Sequence, residues 1–280
     1  MKRPTSVLVW LLFAGFGAAS LLAQDPQLQN SQPFPPHKVI GNLYYVGSAT
    51  LASFLITTPE GHILINSDFE ETVPVIRSGV EKLGFRVTDI RILLGSHAHG
   101  DHMAADALVK ELTGARVMAM EQDVPALTNM KTRNRPHPID RILRDGEEVT
   151  LGGTTLVAHL TPGHTQGCTT WTMRAQENGK SYNVVILCSV GVNQGYVLVN
   201  NKDYPQIADD YVRSFKILRT IPCDVFLGAH GNFYGLAEKY QRLEKGGSNP
   251  FIDPAGYTAY LDMQEKAFHA RLDEQKSAAK

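Results

Sequence analysis

The sequence predicts an α/β protein, an αββα sandwich of two mixed β-sheets with helices on the outer faces. Three observations carry that prediction. Strand-like and helix-like runs follow the order strands, helices, strands, helices, and the order occurs twice, which packs most simply as two sheets face to face. The chain has 280 residues, 43% hydrophobic and 20% charged, enough apolar surface for a substantial core. No sequence repeat and no linker interrupts residues 39–280, so the two similar halves read as one domain. Lys and Arg number 27 against 28 Asp and Glu, with no basic block, which argues against a nucleic-acid partner.

The elements follow in order. A basic start, Met1-Lys2-Arg3, leads into an apolar run from Val7 to Ala23 that ends in small residues before Gln24-Asp25-Pro26. That layout reads residues 1–23 as a secretory signal peptide. The alternative is an uncleaved anchor, for which the run, broken by Gly15 and Gly17, sits at the lower edge of a bilayer span. Cleavage implies a periplasmic or secreted protein without membrane attachment. Residues 24–38, rich in Pro, Gln and Asn, read as an extended arm. Strands are expected in VIGNLYYVG, ATLASFLITT and HILINSD, and a helix in VPVIRSGVEKLGF. A buried strand over Asp89 to Leu94 runs into Gly95-Ser96-His97, a helix covers Met103 to Leu112, VMAM is a strand and EQDVPALTNM a short helix. The loop Lys131 to Pro138 follows. The second half repeats the pattern with strands in EEVTLGG, TTLVAHLTPGH, CTTWTMR and SYNVVILCS, the last two joined by an Asn178-Gly179 hairpin signal. An amphipathic helix in YPQIADDYVRSFKILRTI, a buried strand in DVFLGAH and helices in GLAEKYQRLEKG and from Ala255 to Lys276 close the chain.

The sharpest chemical signal is His97-Ala98-His99-Gly100-Asp101-His102, four metal-ligand types in six residues directly after a buried strand. In extended backbone His97, His99 and Asp101 point to one side, leaving His102 free to turn to a neighbouring site. Imidazole and carboxylate suit Zn²⁺. His164, in Thr161-Pro162-Gly163-His164-Thr165, and His230, in Ala229-His230-Gly231, also follow strands. Five histidines and one aspartate suffice for two zinc sites of three protein ligands each, with open positions for water. His37, His62, His137, His159 and His269 have no companion ligands and read as surface or packing residues.

HAHGDH, PGHT and AHG resemble the metallo-β-lactamase superfamily in order and spacing across nearly all of residues 38–245, and within it subclass B3. GHTQG at Gly163 to Gly167, Ser189 where another subclass has a zinc-binding Cys, and AHGNFYGLAEK carry the B3 likeness. The resemblance implies the metallo-β-lactamase fold and two zinc ions, one on His97, His99 and His164 and one on Asp101, His102 and His230. It implies hydrolysis of the β-lactam amide bond of penicillins, cephalosporins and carbapenems by a metal-bound hydroxide, conferring antibiotic resistance, with Asp101 orienting the nucleophile. Ser189, Asn193 and Tyr196 are the implied substrate contacts, against ordinary loop polarity as the alternative. The partner is a small-molecule β-lactam, and no exposed apolar stripe calls for another subunit, so a monomer is expected.

Glyoxalase II-like thioester hydrolases and acyl-homoserine lactonases share the first motif but carry a further bridging Asp at the end of the strand after GHT. Here that strand reads VVILCSVGVN, without an acid, which favours the β-lactamase branch. A zinc-binding protein without turnover is the non-enzyme alternative, and the complete ligand set argues against it. Cys168 and Cys188 flank the Asn178-Gly179 turn within one residue of register. In an oxidising compartment such a pair bridges; the alternative is two buried thiols. Cys223 is then left over as a free thiol. The loop Lys131 to Pro138, with Arg133, Arg135 and His137, is expected to wall the pocket and to favour anionic substrates.

Overall fold

The structure is a computed structural model that describes residues 32–279. The expected signal peptide and most of the arm lie outside the described residues.

The strands are β1 (His37–Ile40), β2 (Leu43–Tyr45), β3 (Phe54–Thr58), β4 (Gly61–Ile65), β5 (Ile90–Leu94), β6 (Arg116–Met120), β7 (Lys131–Thr132), β8 (Arg135–Pro136), β9 (Arg141–Leu143), β10 (Glu148–Leu151), β11 (Thr154–Leu160), β12 (Thr169–Glu177), β13 (Lys180–Leu187) and β14 (Val225–Gly228). The first sheet runs β1-β2-β3-β4-β5-β6-β9 and the second β10-β11-β12-β13-β14. Both are mixed: β1 to β4 pair antiparallel and β4-β5-β6-β9 parallel, while only β13 and β14 pair parallel in the second sheet. The helices are α1 (Val73–Lys82), α2 (Gly100–Met103), α3 (Asp106–Thr113), α4 (Val124–Asn129), α5 (Ile207–Thr220), α6 (Leu236–Glu244) and α7 (Pro254–Ala278). This is the αββα sandwich that the sequence predicts.

Strand alternation builds the layers, because successive side chains point to opposite faces. Leu55, Leu64, Leu93 and Val117 face outward and pack under Val73, Ile76 and Val80 of α1 and Val109 of α3. Their neighbours Phe54, Ile56, Ile63, Ile65, Ile92, Leu94 and Met118 face inward. There they join Leu156, Ala158, Trp171, Met173, Val184 and Ile186 from the second sheet. On its other face that sheet meets Tyr211, Phe215 and Leu218 of α5 and Phe268 of α7.

Three local departures from expectation have visible causes. The helix expected over Met103 to Leu112 starts only at Asp106, as α3, with the separate α2 before it, because the His102 carbonyl accepts from Ser67 N and Asp68 N at 3.0 and 3.1 Å. Ala105 N in turn donates to Asp68 O, so the ligand loop is sewn to the end of β4 where the helix breaks. The expected loop Lys131 to Pro138 contains the β7–β8 hairpin, turned by Arg133 and Asn134 with φ of 48° and 63°, an unusual conformation for Arg. Finally, β9 goes unread in the sequence, since a three-residue strand with two exposed side chains carries no periodicity.

Candidate metal centre

Three strand ends converge. After β5, Asn66 accepts from Ser96 N at 2.9 Å and donates to Ala52 O, while Trp171 donates from its indole to Gly95 O at 3.0 Å. These bonds fix the start of His97–His102 against both sheets. After β11, Gly163 has φ 128° and lies where a Cβ would approach the Tyr211 ring to 2.7 Å, so the turn that presents His164 requires glycine. His230 follows β14 in extended backbone and bridges to Leu51.

Ligating atoms of His97, His99 and His164 all lie within 4.8 Å of one another. Beside them, His102 Nε2 is 3.2 Å from His230 Nε2 and 3.3 Å from Asp101 Oδ2, and His230 Nε2 is 3.6 Å from Asp101 Oδ2. All six residues singled out in the sequence as ligands are therefore brought together. The tautomers are constrained too: His164 Nδ1 donates to Gly191 O at 2.8 Å, which leaves its Nε2 lone pair free.

Burial sets the charge states. It drives His97 well below the ordinary imidazole pKa, helped by the neighbouring histidines, and pushes His164 down to about 3 and His230 to about 4. Burial pushes the Asp101 carboxyl up, but the hydrogen bond from His102 and the surrounding imidazoles outweigh it and hold the group below the usual carboxylate range. Neutral imidazoles at His97, His164 and His230 beside an ionised carboxylate are the protonation states a divalent cation requires. His97 Nε2 is buried without a hydrogen-bond partner, an arrangement that costs free energy unless something binds there. The donor set fits zinc.

Cys168 and Cys188 are joined by a disulfide with a Cα–Cα separation of 5.8 Å. Cys188 Sγ lies 3.2 Å from Ser96 O and 3.5 Å from His97 Nδ1, so the bridge packs directly beneath the ligand loop. Cys223 is the free thiol, partly buried. Of the expected substrate contacts, Tyr196 reaches the cluster, donating from its phenol to His164 O at 2.8 Å with the same oxygen 3.4 Å from His99 Nε2. Ser189 is buried and accepts from Gly191 N, and Asn193 is exposed. Among the described residues no hydrogen bond joins the Asn193 side chain to the cluster. A cleft of about 590 Å³ opens beside His164 and Tyr196, walled by Asn200, Lys202, Tyr204 and Ile207.

The basic hairpin does not supply the anion-attracting wall expected of it. Arg133 meets Glu70 and Glu71 at 3.0 and 2.8 Å, Arg135 meets Glu111 at 3.0 Å and Glu70 at 3.6 Å, and His137 Nε2 lies 2.9 Å from Asp106. The charges of Arg133 and Arg135 are met by acids of the chain itself. His137 thus has a buried carboxylate partner that its sequence context did not disclose. His37 and His62 pack against aromatic rings, as read.

Two acids near the site went unremarked in the sequence. Asp68, fully buried and with its carboxyl pushed up to about 7 by burial, accepts from Ser53. Asp123, also buried, accepts three hydrogen bonds. Both follow apolar strands, ILINSD and MAMEQD, the same signal that marks the histidines.

Comparison with known proteins agrees with the geometry. The family model for the metallo-beta-lactamase superfamily matches residues 51–178. The native FEZ-1 metallo-beta-lactamase from Legionella gormanii is 48% identical, with a TM-score of 0.85 over 88% of this chain and 98% of that one. BJP-1, a subclass B3 metallo-beta-lactamase of Bradyrhizobium japonicum, is 35% identical, with a TM-score of 0.84 over 91% and 99%. A hydroxyacylglutathione hydrolase from Fuscovulum blasticum is 35% identical over 100 residues, 36% of this chain, and the chain spans only 34% of that relative's length. With nearly the whole of two solved metallo-beta-lactamases matched, one of them of subclass B3, the chain belongs to the metallo-β-lactamase superfamily, as a hydrolase of its B3 branch.

Proposed function

We propose that this chain hydrolyses the amide bond of β-lactam rings with two zinc ions as cofactor. The observation that carries this reading is the convergence of five imidazoles and one carboxylate, drawn from both sheets, beside one open cleft. His97, His99 and His164 would hold one ion, and Asp101, His102 and His230 the other. Three protein ligands per ion leave an open position, as in catalytic rather than structural sites. Zinc bound there polarises a carbonyl and lowers the pKa of water to about 7.

The chain's own groups do the positioning. Asp101, held ionised, accepts a hydrogen bond from the attacking water and aims it at the lactam carbonyl. Tyr196, whose phenol burial pushes up to about 12, stays protonated as a donor on the cleft wall. Ser189 and Asn193 complete the proposed contacts to the substrate carboxylate. Residues 1–23 direct export, placing a monomeric enzyme in the periplasm or outside the cell. Among the described residues no helix is long and apolar enough to cross a membrane.

The hydroxyacylglutathione hydrolase match supports a second reading, thioester hydrolysis on the same centre. Against it, β13 leads into Cys188-Ser189 rather than an acid, and Cys188 is committed to the disulfide. The test is turnover of a chromogenic cephalosporin: a chelator should abolish it and added zinc restore it. Turnover that survives complete removal of metal, or its absence from zinc-loaded protein, would refute the proposal.

A further inference from the structure

Asp123 stands just beyond β6, 3% exposed. Its Oδ2 accepts from Ala98 N at 2.8 Å and from Thr165 Oγ1 at 2.9 Å, and its Oδ1 accepts from Gly167 N at 2.7 Å. Ala98 separates His97 from His99, and Thr165 follows His164. One carboxylate therefore clasps the segment carrying two of the clustered histidines to the segment carrying the third, across the boundary between the two halves of the chain. The approach is close enough to dictate sequence. A Cβ on Gly167 would lie 2.4 Å from Asp123 N and 2.6 Å from its Cγ, so the glycine three residues after His164 is the space the clasp occupies.

We infer that Asp123 is a positioning residue that sets the separation between His97–His99 and His164, and through it the zinc affinity of that three-histidine set. The inference rests on the zinc reading above. An ionised carboxylate suits the role because it accepts on both oxygens and offers no donor, whereas an amide in its place turns one N–H₂ toward a donor. Partners that orient metal ligands from behind typically contribute 10–100-fold in metal affinity. A residue that merely ties two loops together would instead change stability and leave the affinity of the folded protein alone.

The test uses the full chain stripped of metal, titrated with zinc in competition with a chromophoric chelator, with melting of the metal-free protein followed in parallel. Asp123→Asn should bind zinc on the order of tenfold more weakly, or worse, while keeping the wild-type far-UV spectrum. Thr165→Val, which removes one of the three bonds, should fall between Asp123→Asn and wild type, and Thr165→Ser should restore wild-type affinity. Wild-type zinc affinity in Asp123→Asn, whatever its melting temperature, overturns the inference. If Asp123→Asn does not fold, the Thr165 pair decides: equal affinity in Thr165→Val and Thr165→Ser overturns it, and a deficit confined to Thr165→Val upholds it. A wild-type chain that takes up no zinc overturns the metal reading itself and the clasp's role with it.

Discussion

His37 lies with its ring centroid 5.4 Å from those of Tyr45 and Phe251, and its Nδ1 donates to Pro35 O at 2.8 Å. Burial lowers its pKa below the ordinary 6.5, against the opposing pull of that hydrogen bond and of Glu244. The unfolded chain therefore takes up this proton at a higher pH than the folded one. The contribution to stability is complete above about pH 6.5 and is lost as the pH falls through that value toward the folded pKa. His62 and His159 shift in the same direction, also chiefly through burial. Urea unfolding near pH 7.5 and again at about pH 5.5 should show a loss of stability on acidification, and a smaller loss in His37→Gln. An equal loss in the variant would contradict the assignment. At this scale four candidate ligands are legible because His-x-His-x-Asp-His after an apolar strand is a pattern, and His164 and His230 because each also follows a strand. Asp123 and Asp68 were not, because a single acid after a strand is ordinary until its hydrogen bonds are seen.

The β7–β8 hairpin shows what composition conceals at the scale of an element. Read as a string, Lys131 to Pro138 is a basic loop. In place, Arg133 and Arg135 converge on Glu70, whose side chain is 1% exposed, while Glu71 and Glu111 meet them at the surface. The surface pairs contribute little, but a buried carboxylate stripped of its partners is costly. The double variant Arg133→Ala/Arg135→Ala should lose about 3 kcal/mol in urea unfolding and keep its KM for anionic substrates. A raised KM at unchanged stability would return the hairpin to the substrate. Long elements with clear periodicity were legible: α5 lies inside its expected span, α7 matches to within two residues at each end, and the β12–β13 turn falls on Asn178-Gly179 as read. The break between α2 and α3 was not, since it comes from tertiary hydrogen bonds to β4's end that no local pattern encodes.

For the whole molecule, the fold places ligands from separate halves on one rim. His97, His99, Asp101 and His102 come from the first sheet, and His164 and His230 from the second. The disulfide between Cys168 and Cys188 and the carboxylate of Asp123 lie where those halves meet behind the histidines. Packing of the two sheets is thus also assembly of the centre, which gives zinc binding and folding a common coordinate. Zinc-loaded protein should accordingly melt higher than the stripped chain. Metallo-beta-lactamases and a hydroxyacylglutathione hydrolase both match this chain, so the proposed preference for β-lactams is what separates the two readings. It is tested most directly by measuring kcat/KM of one zinc-loaded preparation for a β-lactam and for a glutathione thioester side by side. The β-lactam should turn over far faster than the thioester. Preference for the thioester would contradict it.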